Sequence, residues 1–440
     1  MVHQIDLSTT WCSLVYCSIL MSGSRFAEPE SLGGASCDSA GSSGFVDRLC
    51  GSEVVVVGAR SVVIVDAVRS PMAAAGADRV FSGLSDVELL AQVLKGLLDR
   101  TDVDPRVVDD VVAGSAGSND EVPVSLGSRA WLAARLPGQV ASTVPKAGAG
   151  IGSCAVHVAV QRVLAKECDV VVAGGVGSRS TTCSGEDPRV LDDWLAAETV
   201  CAKWKLTREQ LDEYALRSQR RAAEVAGANE FRDEIVPVTV WTSLVRRAVC
   251  DDMTIHAELT ARDLAKLPTL GERAGWGERF PEIRGRVTAG NSGLSADGAS
   301  VVLISDEQRA RDLGLRARAR IHSVAVAVSG DDPITTLTGQ MSAAAAALKR
   351  LGLHPRQMDH FEVCETSAAI PLVWQAEFDV NPDMLNPRGG AIALGHAAGA
   401  SCARMLTTML NALEATGGRY GLQVMGAASG PATLFIVERV

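Results

Sequence analysis

The chain has 440 residues, 47% of them hydrophobic, with a formal net charge of −10. That length allows two to three domains or one large duplicated fold, and that apolar content can bury a sizeable core. The acidic balance argues against a nucleic-acid or membrane-surface binder, and no apolar run approaches the length of a membrane span. Eleven cysteines are scattered without the paired spacing of zinc sites, and an odd count fits reduced thiols better than a disulfide framework, so a cytoplasmic protein is expected.

Residues 1–58 differ from the rest. Residues 22–52 are rich in Ser and Gly, as in Leu32-Gly33-Gly34-Ala35-Ser36. Trp11 to Leu20 is apolar enough for a signal core, but the preceding segment carries His3 and Asp6 and neither Lys nor Arg, so a secretory signal is not expected. The segment reads as a disordered tail, and the folded part is expected to begin at Val54.

Val62-Val63-Ile64-Val65-Asp66-Ala67 reads as a buried strand. Ser85 to Leu98 has helical spacing of Leu and Val, and Asp110 to Gly114 reads as a second strand. Val156 to Ala165 reads as a buried helix, followed by a strand over Asp169 to Gly175. Alternating strands and helices imply an α/β layered architecture. The second half repeats the first. Leu98, Arg100, Val103, Pro105, Arg106, Asp109 and Val111 match Leu348, Arg350, Leu353, Pro355, Arg356, Asp359 and Phe361 at a constant offset of 250. Ser153-Cys154-Ala155 parallels Ser401-Cys402-Ala403 at an offset of 248. Two copies of one α/β unit follow, at 59–180 and 286–440. The stretch between them, 181–285, lacks the repeat and reads as an inserted domain.

Near the C-terminus, Asn386-Pro387-Arg388-Gly389-Gly390-Ala391-Ile392-Ala393-Leu394-Gly395-His396 brings a histidine to a glycine-rich turn. Glycines let a backbone approach a ligand closely and present its N–H groups, and the histidine suits a base or an oxyanion donor. This segment resembles the signature of the thiolases, enzymes that make or cleave 3-ketoacyl-CoA, N-x-x-G-G-A-I-A-L-G-H-P, with Ala397 in place of the last proline. Val65 to Pro71, Glu213 to Gln219, Phe231 to Val238, and Thr288 to Asn291 with Asp297 to Ala299 resemble further thiolase motifs in the same order. The resemblance covers nearly all of 60–440 and implies the duplicated thiolase fold with an inserted loop domain, an acyl-CoA or CoA ligand as substrate rather than a cofactor, no metal, and a dimer of two copies or with a paralogue.

It also implies four catalytic elements. These are a nucleophilic cysteine at a helix N-terminus, a second cysteine in a C-x-G-G turn, the signature histidine, and the asparagine of an N-E-A-F motif. Here the first position falls at Ala149 counting back from Ala173-Gly174-Gly175, or at Gly148 counting forward from Thr143. The C-x-G-G turn corresponds to Gly426-Ala427-Ala428-Ser429, and N-E-A-F to Cys364-Glu365-Thr366-Ser367. His396 alone is retained. Only residues 181–195 separate Ser180 from Ala196-Ala197-Glu198, a shorter stretch than thiolases have there.

Cys364 reads either as a relocated nucleophile paired with His396 or as a small apolar filler. Cys154, Cys402 and His157 read as core. By resemblance, Asn291, Ser292, Gly293, Ser295, Gly389 and Gly390 line the substrate site, with Gly293 where thiolases often carry a pantetheine-touching serine and Ser292 and Ser295 as substitutes. Three functions follow: acyl-CoA binding without normal turnover, an acyltransferase or C–C lyase using His396 with Cys364 or an activated water, or a structural subunit beside an active paralogue.

Overall fold

The computed structural model describes residues 53–56, 60–75, 80–115, 125–145, 150–177, 193–242, 245–270, 283, 285–327, 333–426 and 432–440. The expected tail over 1–52, Ala149 and Gly148, and Ala427 to Ser429 lie outside them. Within the expected extension, β1 (Glu53–Val56) is already a strand.

The Val/Ile-rich run from Val62 becomes β2 (Val62–Arg69), buried along its whole length, and β3 (Ala73–Ala74) follows. α1 (Asp86–Thr101) starts at a capping box. The Ser85 hydroxyl accepts from the Glu88 N–H at 3.3 Å and the Glu88 carboxylate accepts from the Ser85 N–H at 2.9 Å. Its Leu89, Leu90, Val93, Leu94, Leu97 and Leu98 form one buried stripe. Next come β4 (Asp110–Ser115), α2 (Leu126–Ala133), β5 (Ala141–Thr143), α3 (Ile151–Leu164) and β6 (Val170–Gly177). The inserted segment supplies α4 (Asp193–Trp204), α5 (Arg208–Gly227), the hairpin β7 (Val238–Thr242) with β8 (Val245–Val249), and α6 (Ala261–Ala265). The chain returns through β9 (Ala296–Asp306) and α7 (Glu307–Asp312). The second copy comprises β10 (Ala319–Ala327), α8 (Pro333–Leu351), β11 (His360–Val363), α9 (Ala369–Phe378), α10 (Ala391–Leu394), α11 (Ala398–Thr416), β12 (Tyr420–Met425) and β13 (Ala432–Arg439).

The duplication is visible strand by strand. The first half runs β4-β6-β9-β2 and the second β11-β12-β13-β10, each with one parallel pair followed by antiparallel ones. Both first strands slip register against their return strand, between Ile64 and Asp66 and between Ile321 and Ser323. The sequence repeat has a mechanical reason. The Asp109 carboxylate accepts from the N–H groups of Asp169 and Val170 at 2.7 and 3.0 Å, and Asp359 does the same for Arg419 and Tyr420 at 2.7 and 3.0 Å. The repeated aspartate thus pins the start of the neighbouring strand in each copy.

The halves join edge to edge through β2 and β10, and α3 and α11 pack between their inward faces with Val156, Val160, Leu406 and Leu410 buried. The two helices cross on glycine, since a Cβ on Gly152 would lie 2.4 Å from the Gly399 carbonyl oxygen. Cys402 is buried there and Cys154 half-buried. Outer helices cover the other faces. The insert serves both halves: Ala197, Val200, Leu211 and Tyr214 join the core of the second half, and Val238, Val240 and Val249 that of the first. A buried Arg69 anchors it, reaching Glu234 at 2.9 Å and Asp252 at 2.7 and 2.9 Å. Among the described residues no helix is long and apolar enough to cross a membrane.

Candidate active site

The signature segment is built around Glu365, which is fully buried. Its carboxylate accepts from Tyr214 Oη at 2.7 Å, Ser218 Oγ at 2.8 Å, Asn386 Nδ2 at 2.8 Å and the Ile392 N–H at 3.0 Å. Tyr214 and Ser218 are four residues apart, on one face of α5. Asn386 also closes on β11, its amide accepting from the Val363 N–H at 2.8 Å and donating to the Val363 carbonyl at 2.9 Å. Glu365 thereby ties the insert, β11 and the signature loop together.

Within this network the paired glycines pack against the protein itself. A Cβ on Gly390 would lie 2.2–2.5 Å from the Glu365 carboxylate. Gly389 adopts φ +78°, and a Cβ there would lie 2.7 Å from the Ser218 carbonyl oxygen. Both glycines are required by the protein's own packing.

α10 delivers the chain to Gly395 (φ +88°) and then to His396. The His396 N–H donates to the Leu294 carbonyl at 2.6 Å and its carbonyl accepts from the Ala296 N–H at 3.3 Å. The backbone at Leu294 and Ala296 therefore runs beside the histidine. Asn291 is itself locked, with its amide nitrogen on Asp212 at 2.8 Å and its oxygen accepting from the Thr288 N–H at 2.9 Å. The Ser292 hydroxyl is buried without a hydrogen-bond partner among the described residues, and Ser295 is exposed. The Gly293 N–H donates to the Thr366 carbonyl at 3.1 Å, and a Cβ at 293 would lie 2.8 Å from the Glu365 carbonyl oxygen. A serine at that position would force the backbone to shift.

His396 Nδ1 pairs with Ser401 Oγ at 3.0 Å. The ring is half-buried by exposure although protein surrounds most of it, as suits a group at the wall of a site. Burial lowers its pKa below the usual histidine value, with Asp193 opposing and Arg404 adding to the shift, so the imidazole is neutral at neutral pH.

Cys364 is 2% exposed, and burial pushes its thiol up to about 12, with Arg404 opposing. A nucleophilic cysteine needs the opposite shift. Among the described residues no hydrogen bond joins it to His396, and its neighbours in the core include Cys402 and Met425. Cys402, which accepts from Gln423 Nε2 at 3.3 Å, is likewise pushed up to about 12 by burial. His157 is half-buried with Nδ1 unpartnered among the described residues, and burial lowers its pKa.

Gly426 follows β12 in an ordinary backbone conformation. A Cβ there would meet its nearest atoms, Gln340 Oε1 and Ala432 Cβ, at 3.4 and 3.5 Å, an unstrained contact. A cleft of about 660 Å³ lined by Met358, Phe361, Gln375, Val380 and Met384 lies elsewhere and contains none of the candidate residues.

Residues 62–192 and 194–308 match the family model for the thiolase N-terminal domain, and 315–439 that for the thiolase C-terminal domain. The steroid 3-ketoacyl-CoA thiolase of Mycobacterium tuberculosis is 34% identical over 401 residues, covering 86% of this chain and 94% of that protein. The acetyl-CoA acetyltransferase of Allochromatium vinosum is 31% identical over 407 residues, covering 86% and 99%. The crystal structure of the Bacillus anthracis acetyl-CoA acetyltransferase superposes with a TM-score of 0.77 at 28% identity, covering 87% of this chain and 99% of that one. Human mitochondrial 3-ketoacyl-CoA thiolase gives 0.75 at 28% identity, covering 88% and 100%.

Proposed function

We propose that this chain, which belongs to the thiolase family, binds an acyl-CoA thioester beside His396 without performing normal thiolase turnover. The reading is supported by a neutral His396 together with a buried Cys364 with a raised pKa. By the resemblance, Gly426 stands where the second cysteine would be and Ala149 or Gly148 where the first would be. A hydrogen-bond donor can polarise a thioester carbonyl, and one oxyanion donor is typically worth ~10²–10³ in rate, but covalent acyl transfer needs a nucleophile. The fold carries this chemistry only as far as its site allows.

Binding along Asn291–Ser295 would bring the thioester to the histidine, with the unpartnered Ser292 hydroxyl as a donor. Assembly as a dimer is part of the reading. β5 is an edge strand among the described residues, and an open edge offers unpaired N–H and C=O groups. The test incubates the protein with acetyl-CoA and acetoacetyl-CoA, then measures intact mass, thiolysis and binding heat. Binding that His396→Ala weakens, with no acyl adduct and no thiolysis, is expected. An adduct mapped to Cys364 and lost in Cys364→Ala would overturn the reading and install the relocated nucleophile.

A further inference from the structure

We propose that Ser401 is a positioning residue that keeps the proton of His396 on Nε2, so that the imidazole presents a hydrogen-bond donor rather than a base. The argument is a count of lone pairs. Ser401 Oγ lies 3.0 Å from two acceptors, His396 Nδ1 and the Ala397 carbonyl oxygen. A hydroxyl has one proton to give, and its choice sets the tautomer of the ring.

The Ala397 carbonyl already accepts the N–H of Ala400 at 2.8 Å and that of Ser401 at 2.8 Å. A carbonyl oxygen has two lone pairs, and both are engaged. Ser401 is 1% exposed, which leaves water little access to its proton. The proton therefore goes to His396 Nδ1. A neutral imidazole that accepts at Nδ1 carries its own hydrogen on Nε2. That nitrogen has no protein partner among the described residues, and the half-buried ring leaves it reachable. Burial favours the neutral imidazole; of the charged groups that act on the ring, Asp193 at the start of α4 opposes this and Arg404 on α11 adds to it.

The assignment gives a specific limit to the site. With its proton on Nε2, His396 can stabilise negative charge on an acyl oxygen but cannot take a proton from water or from a thiol through that nitrogen. The part concerning an acyl oxygen rests on the function proposed above, whereas the tautomer itself does not.

The test is a long-range 1H–15N correlation spectrum of the full chain with ring-labelled histidine, at mildly alkaline pH and without ligand, assigned with His396→Gln. Wild type should show a pyridine-like, unprotonated Nδ1. In Ser401→Ala that signal should move toward the protonated position as the ring regains tautomeric exchange, and Ser401→Thr should restore it. A protonated Nδ1 in wild type, or a Ser401→Ala signal identical to wild type, would overturn the proposal. The wild-type spectrum decides even if a variant fails to fold. Adding acetyl-CoA to the same sample tests the acyl-binding reading separately, because an unmoved Nε2 signal counts against that reading and leaves the tautomer assignment standing.

Discussion

The loop around Gly390 and position 426, just after β12, both carry glycine, and for opposite reasons. Gly390 is pressed against the Glu365 carboxylate, where a Cβ would sit 2.2–2.5 Å away. Gly426 has its nearest neighbour 3.4 Å from the place a Cβ would occupy. One glycine is demanded by the protein, and the other is not. The framework that presents His396 is thus kept by packing, whereas no steric need in the described surroundings holds a glycine at position 426.

The strongest way to break this contrast is to remove Glu365. Glu365→Ala strands the Tyr214 and Ser218 hydroxyls and the Ile392 N–H, each a buried donor costing about 1–3 kcal/mol when unpaired, while the Asn386 amide keeps the Val363 carbonyl. Chemical denaturation should show a loss of about 3–5 kcal/mol. A change below about 1 kcal/mol would mean that the loop is not held by this carboxylate.

A smaller effect separates the glycines directly. Gly390→Ala should lower stability by about 1–3 kcal/mol through overpacking, and Gly426→Ala should change it by less than about 1 kcal/mol in either direction. Equal effects in parallel melts would erase the distinction drawn here.

Acid should weaken the fold by a smaller amount. His396 and His157 both titrate below the usual histidine value in the folded chain because burial disfavours the cation. The unfolded chain therefore binds more protons as pH falls through about 6.5, and these groups contribute stability that is present above that pH and declines below it. A stability profile between pH 8 and 5 that falls on the acid side in wild type should flatten in His157→Gln (both pH values being about the limits of the histidine range). An unchanged slope would remove His157 from the account.

The finest comparison is between thiols. Cys250 is exposed and Cys364 is buried with its pKa pushed up to about 12, so mild alkylation followed by peptide mapping should label Cys250 first and leave Cys364 untouched in the folded protein. Rapid labelling of Cys364 would revive it as a nucleophile.

Much of the fold was legible in the chain. The β-branched run at Val62, the helical spacing from Ser85 to Leu98 and the repeat at an offset of 250 foretold the elements and their duplication. The repeat even carried its reason, because Asp109 and Asp359 are among the matched residues and each pins a neighbouring strand. The insert was legible as an interruption. Its division of labour, helices on one half and hairpin on the other, was not, because both parts have ordinary amphipathic patterns that name no partner.

The site was legible in its motif and opaque in its mechanics. His396 and its glycine-rich approach stood out by type and spacing. Glu365 was noticed only as part of a degraded motif, although it is the carboxylate on which the loop is hung. Ser401 was visible only as the repeat partner of Ser153. Its distance to His396 depends on how Ala397 turns the chain into α11.

By itself, the sequence determined the α/β elements, the two copies and the family. Periodicity and repetition are local or self-similar signals, and they survive without knowledge of contacts. Only the tertiary structure decided that Gly389 and Gly390 serve Glu365 and α5, that Cys364 belongs to the core, and which atom of His396 meets Ser401. Those properties depend on which groups from distant segments share a buried space, where burial shifts each pKa and each lone pair can be used once.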